Sequence, residues 1–122
     1  DFDDLSWKEG KSSFGTQGTP GAVIGTTWNT PDIWLRRNVA IPSDKLKNLE
    51  LWIHHDDEAD VFLNGELAAM ASGYSRSYET VPIRPEAKTK LKAGDNCIAI
   101  HCKQTGGGQN IDAGLVEVVS AK

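Results

Sequence analysis

The densest group of chemically active side chains in the sequence is the run His54-His55-Asp56-Asp57-Glu58-Ala59-Asp60. Histidines and carboxylates are metal ligands and acid–base groups. The acidic part does not follow the calcium-binding loop found between helices, because Val61 and Leu67 occupy the positions where that loop needs glycine and glutamate. The run therefore predicts a solvated turn between two strands. An irregular structural calcium site stays open as the alternative.

Motifs for cofactors, zinc and nucleophilic catalysis fail at required positions. Gly10-Lys11-Ser12 resembles the end of a phosphate-binding loop, but Leu5 occupies the place of its first glycine. The three histidines lack zinc-site spacing, and no Gly-x-Ser-x-Gly is present. We therefore expect no cofactor. Two of the many acids could form a glycosidase pair, so a small hydrolase remains the weaker alternative.

Strands separated by turn signals must position these side chains. Asn64-Gly65 between two apolar runs predicts a β-hairpin, since both central residues of its tight turn need a positive φ. Pro82 predicts an edge strand or a bulge. Pro85 and Gly94 bracket one turn of helix. Strands are predicted at 33–41, 49–54, 61–63, 66–70, 78–83, 96–102 and 115–119.

Short strands without long helices between them favour an all-β fold, an antiparallel β-sandwich. With 122 residues and 13.3 kDa, residues 1–122 are expected to form a single domain, with 1–29 as an irregular lead-in. Cys97 and Cys102 point to opposite faces of one predicted strand, roughly 16 Å apart. Because a disulfide needs Cα atoms within about 7 Å, we expect two free, buried thiols.

Charge and hydropathy exclude several partner classes. The net charge is −4 without a basic stripe, which argues against nucleic acid and anionic membranes as partners. No apolar run approaches the ~20 residues of a membrane span. The chain begins with Asp1 rather than Met, and we interpret it as a module excised from a larger multidomain protein.

Strand direction sorts the loops by residue type. If consecutive strands alternate in direction, the loops before residue 33, after 54, after 70 and after 102 meet at one end, which we call the top rim. This end collects amides, carboxylates and aromatic rings, which suit the hydroxyls and C–H faces of a neutral sugar. The predicted carbohydrate-binding residues are Trp28, Asp56, Asp57, Tyr74, Arg76, Gln104, Gln109 and Asp112.

Two tryptophans define a second candidate surface. Trp34 and Trp52 alternate with the apolar residues of their strands, so they lie on the opposite strand faces. If the strands are neighbours, the two rings and the charges between them form one flat platform for a polysaccharide or another domain. If that face is covered, both rings belong to the core, which is the favoured alternative.

Several segments together resemble the N-terminal jelly-roll domain of family 2 glycoside hydrolases. The strand Asp32-Ile33-Trp34-Leu35-Arg36-Arg37 precedes a hairpin at 57–65 that contains Asp57, Ala59 and Asn64-Gly65. Gly73-Tyr74 follows, and then Leu91-Lys92-Ala93-Gly94-Asp95-Asn96-Cys97-Ile98-Ala99-Ile100. The resemblance covers about residues 28 to 119 and is typical of the galactose-binding-like superfamily.

The resemblance implies a jelly roll that is not itself catalytic. Such domains bind carbohydrate or support the active site of an attached glycosidase. The run at 54–57 and the loop at 104–112 depart from the general pattern, so the ligand is less certain than the fold. We expect a non-catalytic accessory module of an exported carbohydrate-active enzyme that binds a poly- or oligosaccharide at the top rim. The alternative is a structural domain that contacts an attached catalytic domain without binding sugar.

Overall fold

This computed structural model describes residues 10, 13–19, 24–42, 49–75, 77–104 and 108–117, and β-strands make up most of these residues. One helical turn, α1 (Pro85–Lys88), lies between the seventh and eighth strands. The strands are β1 (Phe14–Gly15), β2 (Thr26–Thr27), β3 (Asp32–Ile41), β4 (Leu49–Asp56), β5 (Glu58–Leu63), β6 (Glu66–Ala71), β7 (Glu79–Pro82), β8 (Gly94–Lys103) and β9 (Asn110–Glu117).

The strands form two sheets that pack face to face. One sheet has the order β2-β1-β9-β4-β7, and the other has the order β3-β8-β5-β6. Neighbouring strands are antiparallel except for the two-residue pair β1–β2, which is parallel. The predicted all-β antiparallel sandwich is confirmed.

The core lies between the sheets and follows the period-two pattern of the strands. Leu51 and Ile53 of β4 face Val61 and Leu63 of β5, and each of these residues is at most 1% exposed. Burying one such side chain contributes about 1.5–3 kcal/mol. Ile98 and Ile100 of β8 extend the same cluster. Their alternate neighbours face outward, so each sheet has an outer face available for contacts.

Most of the local predictions from the sequence agree with the observed elements, and two of them differ. Asn64 and Gly65 have φ values of 48° and 86°, as the predicted hairpin turn requires. Pro82 ends β7, an edge strand. Cys97 and Cys102 are both free, although only Cys102 is buried. The expectation of an irregular lead-in is wrong in part, because β1 and β2 lie within residues 1–29. Residues 118 and 119 of the last predicted strand lie outside the described residues.

The favoured interpretation of Trp34 and Trp52 as core residues is wrong, and the alternative of one shared face fails because β3 and β4 belong to different sheets. Trp34 lies on the outer face of the four-stranded sheet and is 52% exposed. Trp52 lies on the outer face of the five-stranded sheet and is 41% exposed. Neither ring is part of the core, so the sandwich has two separate aromatic surfaces.

No helix in the described parts of the chain has the length and apolar character needed to cross a membrane.

Candidate functional site

The top rim forms at one end of the sandwich, as the strand directions predict. The Gln104 N–H donates to the carbonyl of Pro31 at 2.7 Å, and the Gln109 side-chain amide donates to the carbonyl of Thr30 at 2.8 Å. Asp56 lies opposite Asn110 and forms an isolated bridge with Tyr74. The structure therefore places five of the eight predicted binding residues at this end: Asp56, Asp57, Tyr74, Gln104 and Gln109.

Of the other three predicted residues, Asp112 lies further along its strand, Trp28 is buried, and Arg76 is not described. Asp112 lies two residues further along β9, opposite His54. Arg76 lies outside the described residues. Trp28 is only 4% exposed, and its indole N–H lies 3.0 Å from the Thr30 hydroxyl oxygen and 3.2 Å from the Asp32 carbonyl oxygen. The expectation that Trp28 stacks on a sugar therefore needs correction, because its ring is packed in the core.

The side-chain carboxyl groups of Asp56 and Asp57 at the top rim are buried rather than exposed to solvent. Asp56 and Asp57 are each 6% exposed, and their side chains share a hydrogen bond. Burial, followed by the hydrogen bond and the charge of Asp57, raises the pKa of Asp56 to about 7, and the charge of His55 opposes this rise. A Cβ at Gly108 would lie 3.0 Å from Asp56 Oδ2, so the backbone there covers this carboxyl.

Hydrogen bonds of His55 hold the segments next to Asp56 and Asp57 in place. Its Nδ1 donates to the carbonyl of Asp57 at 2.8 Å, and its Nε2 lies 3.3 Å from a Glu79 carboxylate oxygen. Its backbone N–H donates to the Ser75 hydroxyl at 3.0 Å. These bonds tie β4 to the segments around residues 57, 75 and 79. The buried polar groups of the rim therefore hold loops together, and Tyr74 is the predicted binding residue with a largely exposed ring, at 56%.

A more open arrangement lies on the outer face of the four-stranded sheet. Trp34 of β3 pairs with His101 of β8, and their rings are parallel within 2° at a centroid distance of 4.2 Å. His101 Nε2 lies 2.8 Å from Asp32 Oδ1, which fixes the imidazole. Since β3 is an edge strand, no strand lies beyond Trp34 in this sheet. We call this pair of stacked rings the Trp34 platform.

A groove of about 1530 Å³ begins at the Trp34 platform. Arg36, Phe62 and Ala99, which lie side by side in the sheet register, line it along the outer face. Residues 26–30 line it beyond the edge of β3. The groove therefore joins an aromatic ring, polar groups and a cation on one accessible surface.

Two asparagines fix the backbone at the end of the groove that lies away from Trp34. Asn64 donates to the Lys90 carbonyl at 2.7 Å and to Asn96 Oδ1 at 2.9 Å, and its own Oδ1 accepts from the Cys97 N–H at 2.8 Å. Asn96 is 1% exposed and bonds both the N–H and the carbonyl of Lys92. The backbone that carries the two lysines is thus fixed to the ends of β5 and β8.

We expect Asn96→Ala to lower the free energy of unfolding by about 2–3 kcal/mol, because several backbone groups lose their buried partner. Urea unfolding followed by circular dichroism measures this change. Asn38→Ala, an exposed position on β3, is the control and should change stability by less than about 0.5 kcal/mol. Equal stability of the two variants would contradict a structural role for Asn96.

The outer face of the five-stranded sheet has a second aromatic cluster. Trp52 stacks on Tyr78 at a centroid distance of 5.6 Å with an angle of 10°, and His54 contacts the same tyrosine. The Tyr78 hydroxyl donates to the Asp112 carboxylate. Burial, together with the hydrogen bond to Asp112 and the charge of that carboxylate, raises the pKa of Tyr78 to about 12. Asp112 thus belongs to this cluster rather than to the rim.

Within the described residues, no group of three or more histidines, cysteines, aspartates or glutamates could hold a metal ion. Comparison with protein-family models gave no match, and comparison with curated proteins gave no match. The proposal for function therefore depends on the surface chemistry of the sandwich.

Sequence reasoning missed His101 and the two lysines as contributors to a surface site. The period-two alternation of β3 did place Trp34 opposite Ile33 and Leu35, which was a usable signal for an outward ring. The residue that stacks on the Trp34 ring could not be predicted, because residues 34 and 101 lie far apart in the sequence.

Proposed function

We propose that this chain is a non-catalytic carbohydrate-binding module and that the Trp34 platform is its main sugar contact. A sugar ring stacks its C–H face on an aromatic ring that is rigid and has one open face. His101 covers one face of the indole, and Trp34 is 52% exposed. The single observation that carries the proposal is this half-exposed ring at the mouth of a groove.

The groove supplies the polar partners that sugar hydroxyls need. Asn29 and Thr30 line it next to the platform, and Arg36 lies further along. Amides, hydroxyls and guanidinium groups donate to sugar oxygens, and the first two also accept from sugar hydroxyls. Phe14, Ile33 and Phe62 also line the groove, so apolar surface for sugar C–H faces lies beside these hydrogen-bonding groups. This mixture of apolar and hydrogen-bonding groups supports a glycan chain as the ligand.

We propose the outer face of the four-stranded sheet as the binding surface, instead of the top rim, because most of the rim side chains are buried. The resemblance to the jelly-roll domain of family 2 glycoside hydrolases supports a proposal about the parent protein and its location. We propose that the module belongs to an exported carbohydrate-active enzyme, in the periplasm, at the cell surface or outside the cell. Tyr74 is exposed and remains a candidate for a secondary contact.

Affinity gel electrophoresis with a panel of soluble polysaccharides tests the proposal. The wild-type chain should be retarded by at least one polysaccharide, and Trp34→Ala should weaken that binding at least about tenfold. Losing a stacked aromatic contact costs roughly 1.4 kcal/mol or more, which corresponds to that factor. Since Trp34 is half exposed, the variant should fold and keep a similar melting temperature.

Trp52→Ala is the matched control, because it removes an exposed tryptophan from the opposite sheet. It should bind as the wild type does. Equal loss in both variants, or none in Trp34→Ala, would contradict the Trp34 platform as the site. Folded protein that no polysaccharide retards would support the alternative of a structural domain. Release of reducing ends from any polysaccharide would support the hydrolase alternative.

A further inference from the structure

The groove beside the Trp34 platform has an unusual charge distribution for this protein. The chain has 13 basic and 17 acidic residues, with a net charge of −4. The described residues that line the groove nevertheless include Arg36, Lys90 and Lys92, and none of them is an aspartate or glutamate. We infer that the groove binds a polysaccharide with anionic groups, carboxylate or sulfate, in preference to a neutral one. This inference rests on the proposed glycan-binding function.

Three basic residues lie along the same groove. The Arg36 guanidinium lies 3.5 Å from Cys97 Sγ, and the Cys97 N–H donates to Asn64. Asn64 in turn holds the backbone carbonyl of Lys90 at 2.7 Å. Arg36, Lys90 and Lys92 therefore line one groove together with Cys97.

Four acidic residues share this outer sheet face in the strand register: Asp32, Glu58, Asp60 and Asp95. Asp32 bonds His101 at the platform, and Asp95 lies two residues from Cys97 on β8. None of the four lines the groove. A glycan chain that runs from Trp34 along the groove would therefore meet basic residues rather than acidic ones. Opposite charges at a few ångströms attract substantially near a protein surface, and salt screens that attraction.

Matched pairs of polysaccharides test the inference. Polygalacturonate is compared with its fully methyl-esterified form, and dextran sulfate is compared with dextran. The wild-type chain should bind at least one anionic member about tenfold more tightly than its neutral partner. Raising NaCl from 0.05 M to 0.5 M should remove most of this difference. The two pairs distinguish carboxylate from sulfate as the recognised group.

The variant Lys90→Gln/Lys92→Gln should lose most of the preference for the anionic polymer. Lys88→Gln/Lys103→Gln is the control, because it has the same net charge and both residues are exposed outside the groove lining. It should retain the preference. Circular dichroism and melting temperature establish that all variants fold. Trp34→Ala should weaken binding to both members of a pair.

Four outcomes would overturn the inference. Equal loss in the control variant would show that only net charge matters, and equal affinity for poly-L-glutamate would show recognition of charge without sugar. Equal binding of neutral and anionic polymers, still lost in Trp34→Ala, would leave the glycan-binding proposal standing and refute the preference. Absence of binding to every polymer would refute both.

Discussion

Gly15→Ala is expected to lower the free energy of unfolding by about 3 kcal/mol and the melting temperature by about 10 °C or more. A Cβ at Gly15 would lie 2.1 Å from the carbonyl oxygen of Gln109 and 2.9 Å from the Cα of Asn110. Both atoms belong to the backbone, so no side-chain rotation relieves the contact. The pairing of β1 with β9 must change instead.

The same substitution affects the edge of the five-stranded sheet. The Thr16 N–H donates to the Gln109 carbonyl at 3.0 Å, and the Trp28 N–H donates to the Gly15 carbonyl at 2.8 Å. Displacing β1 weakens both bonds and disturbs the burial of Trp28. Chemical and thermal unfolding, followed by the near-ultraviolet signal of the tryptophans, measures the effect.

Gly114→Ala is the matched control for Gly15→Ala. Gly114 lies in the neighbouring strand β9, and a Cβ there would meet nothing within 4 Å. Since alanine restricts the unfolded chain more than glycine does, this variant should be neutral or slightly stabilising. A comparable loss of stability in both variants would contradict the close approach at Gly15.

The stabilisation of the protein by Asp56→Asn should be about 2 kcal/mol larger at pH 8 than at pH 5. The pKa of Asp56 is about 7 in the folded protein, against an ordinary value of 3.8. The folded state therefore holds a proton between pH 4 and 7 that the unfolded state releases. The contribution of this group is full below pH 4 and is lost as the pH rises through 7.

The asparagine removes the titration but keeps a donor for the hydrogen bond to Asp57. Urea unfolding at half-unit intervals from pH 5 to 8.5 gives the difference between variant and wild type, in which the other titrating groups cancel. The difference should grow with pH and level off above about pH 8. Asn38→Ala is the control, because it removes no titrating group from an exposed position of β3, and it should give a flat difference. A flat difference for Asp56→Asn would refute the raised pKa.

The candidate site could be predicted only in part. The top rim assembled as the strand directions required, because alternating strands bring alternate loops to one end. Burial within that end could not be predicted, since it depends on residues distant in sequence. The backbone at Gly108 covers Asp56, and Thr30 and Asp32 bond the Trp28 indole. Trp28, one of the two aromatic residues expected at the rim, is therefore in the core.

The sequence by itself determined the all-β class, most strand positions, the hairpin at Asn64-Gly65 and the edge position of Pro82. These features depend on the period of two in each strand and on residues with restricted φ, so a short segment encodes each one. Only the tertiary structure decided which strands are neighbours. The pairing of β3 with β8, rather than with β4, placed His101 beside Trp34 and separated Trp34 from Trp52. Sheet pairing depends on residues that are distant in the sequence. Every strand has the same alternating pattern, so this pattern fits several possible neighbours.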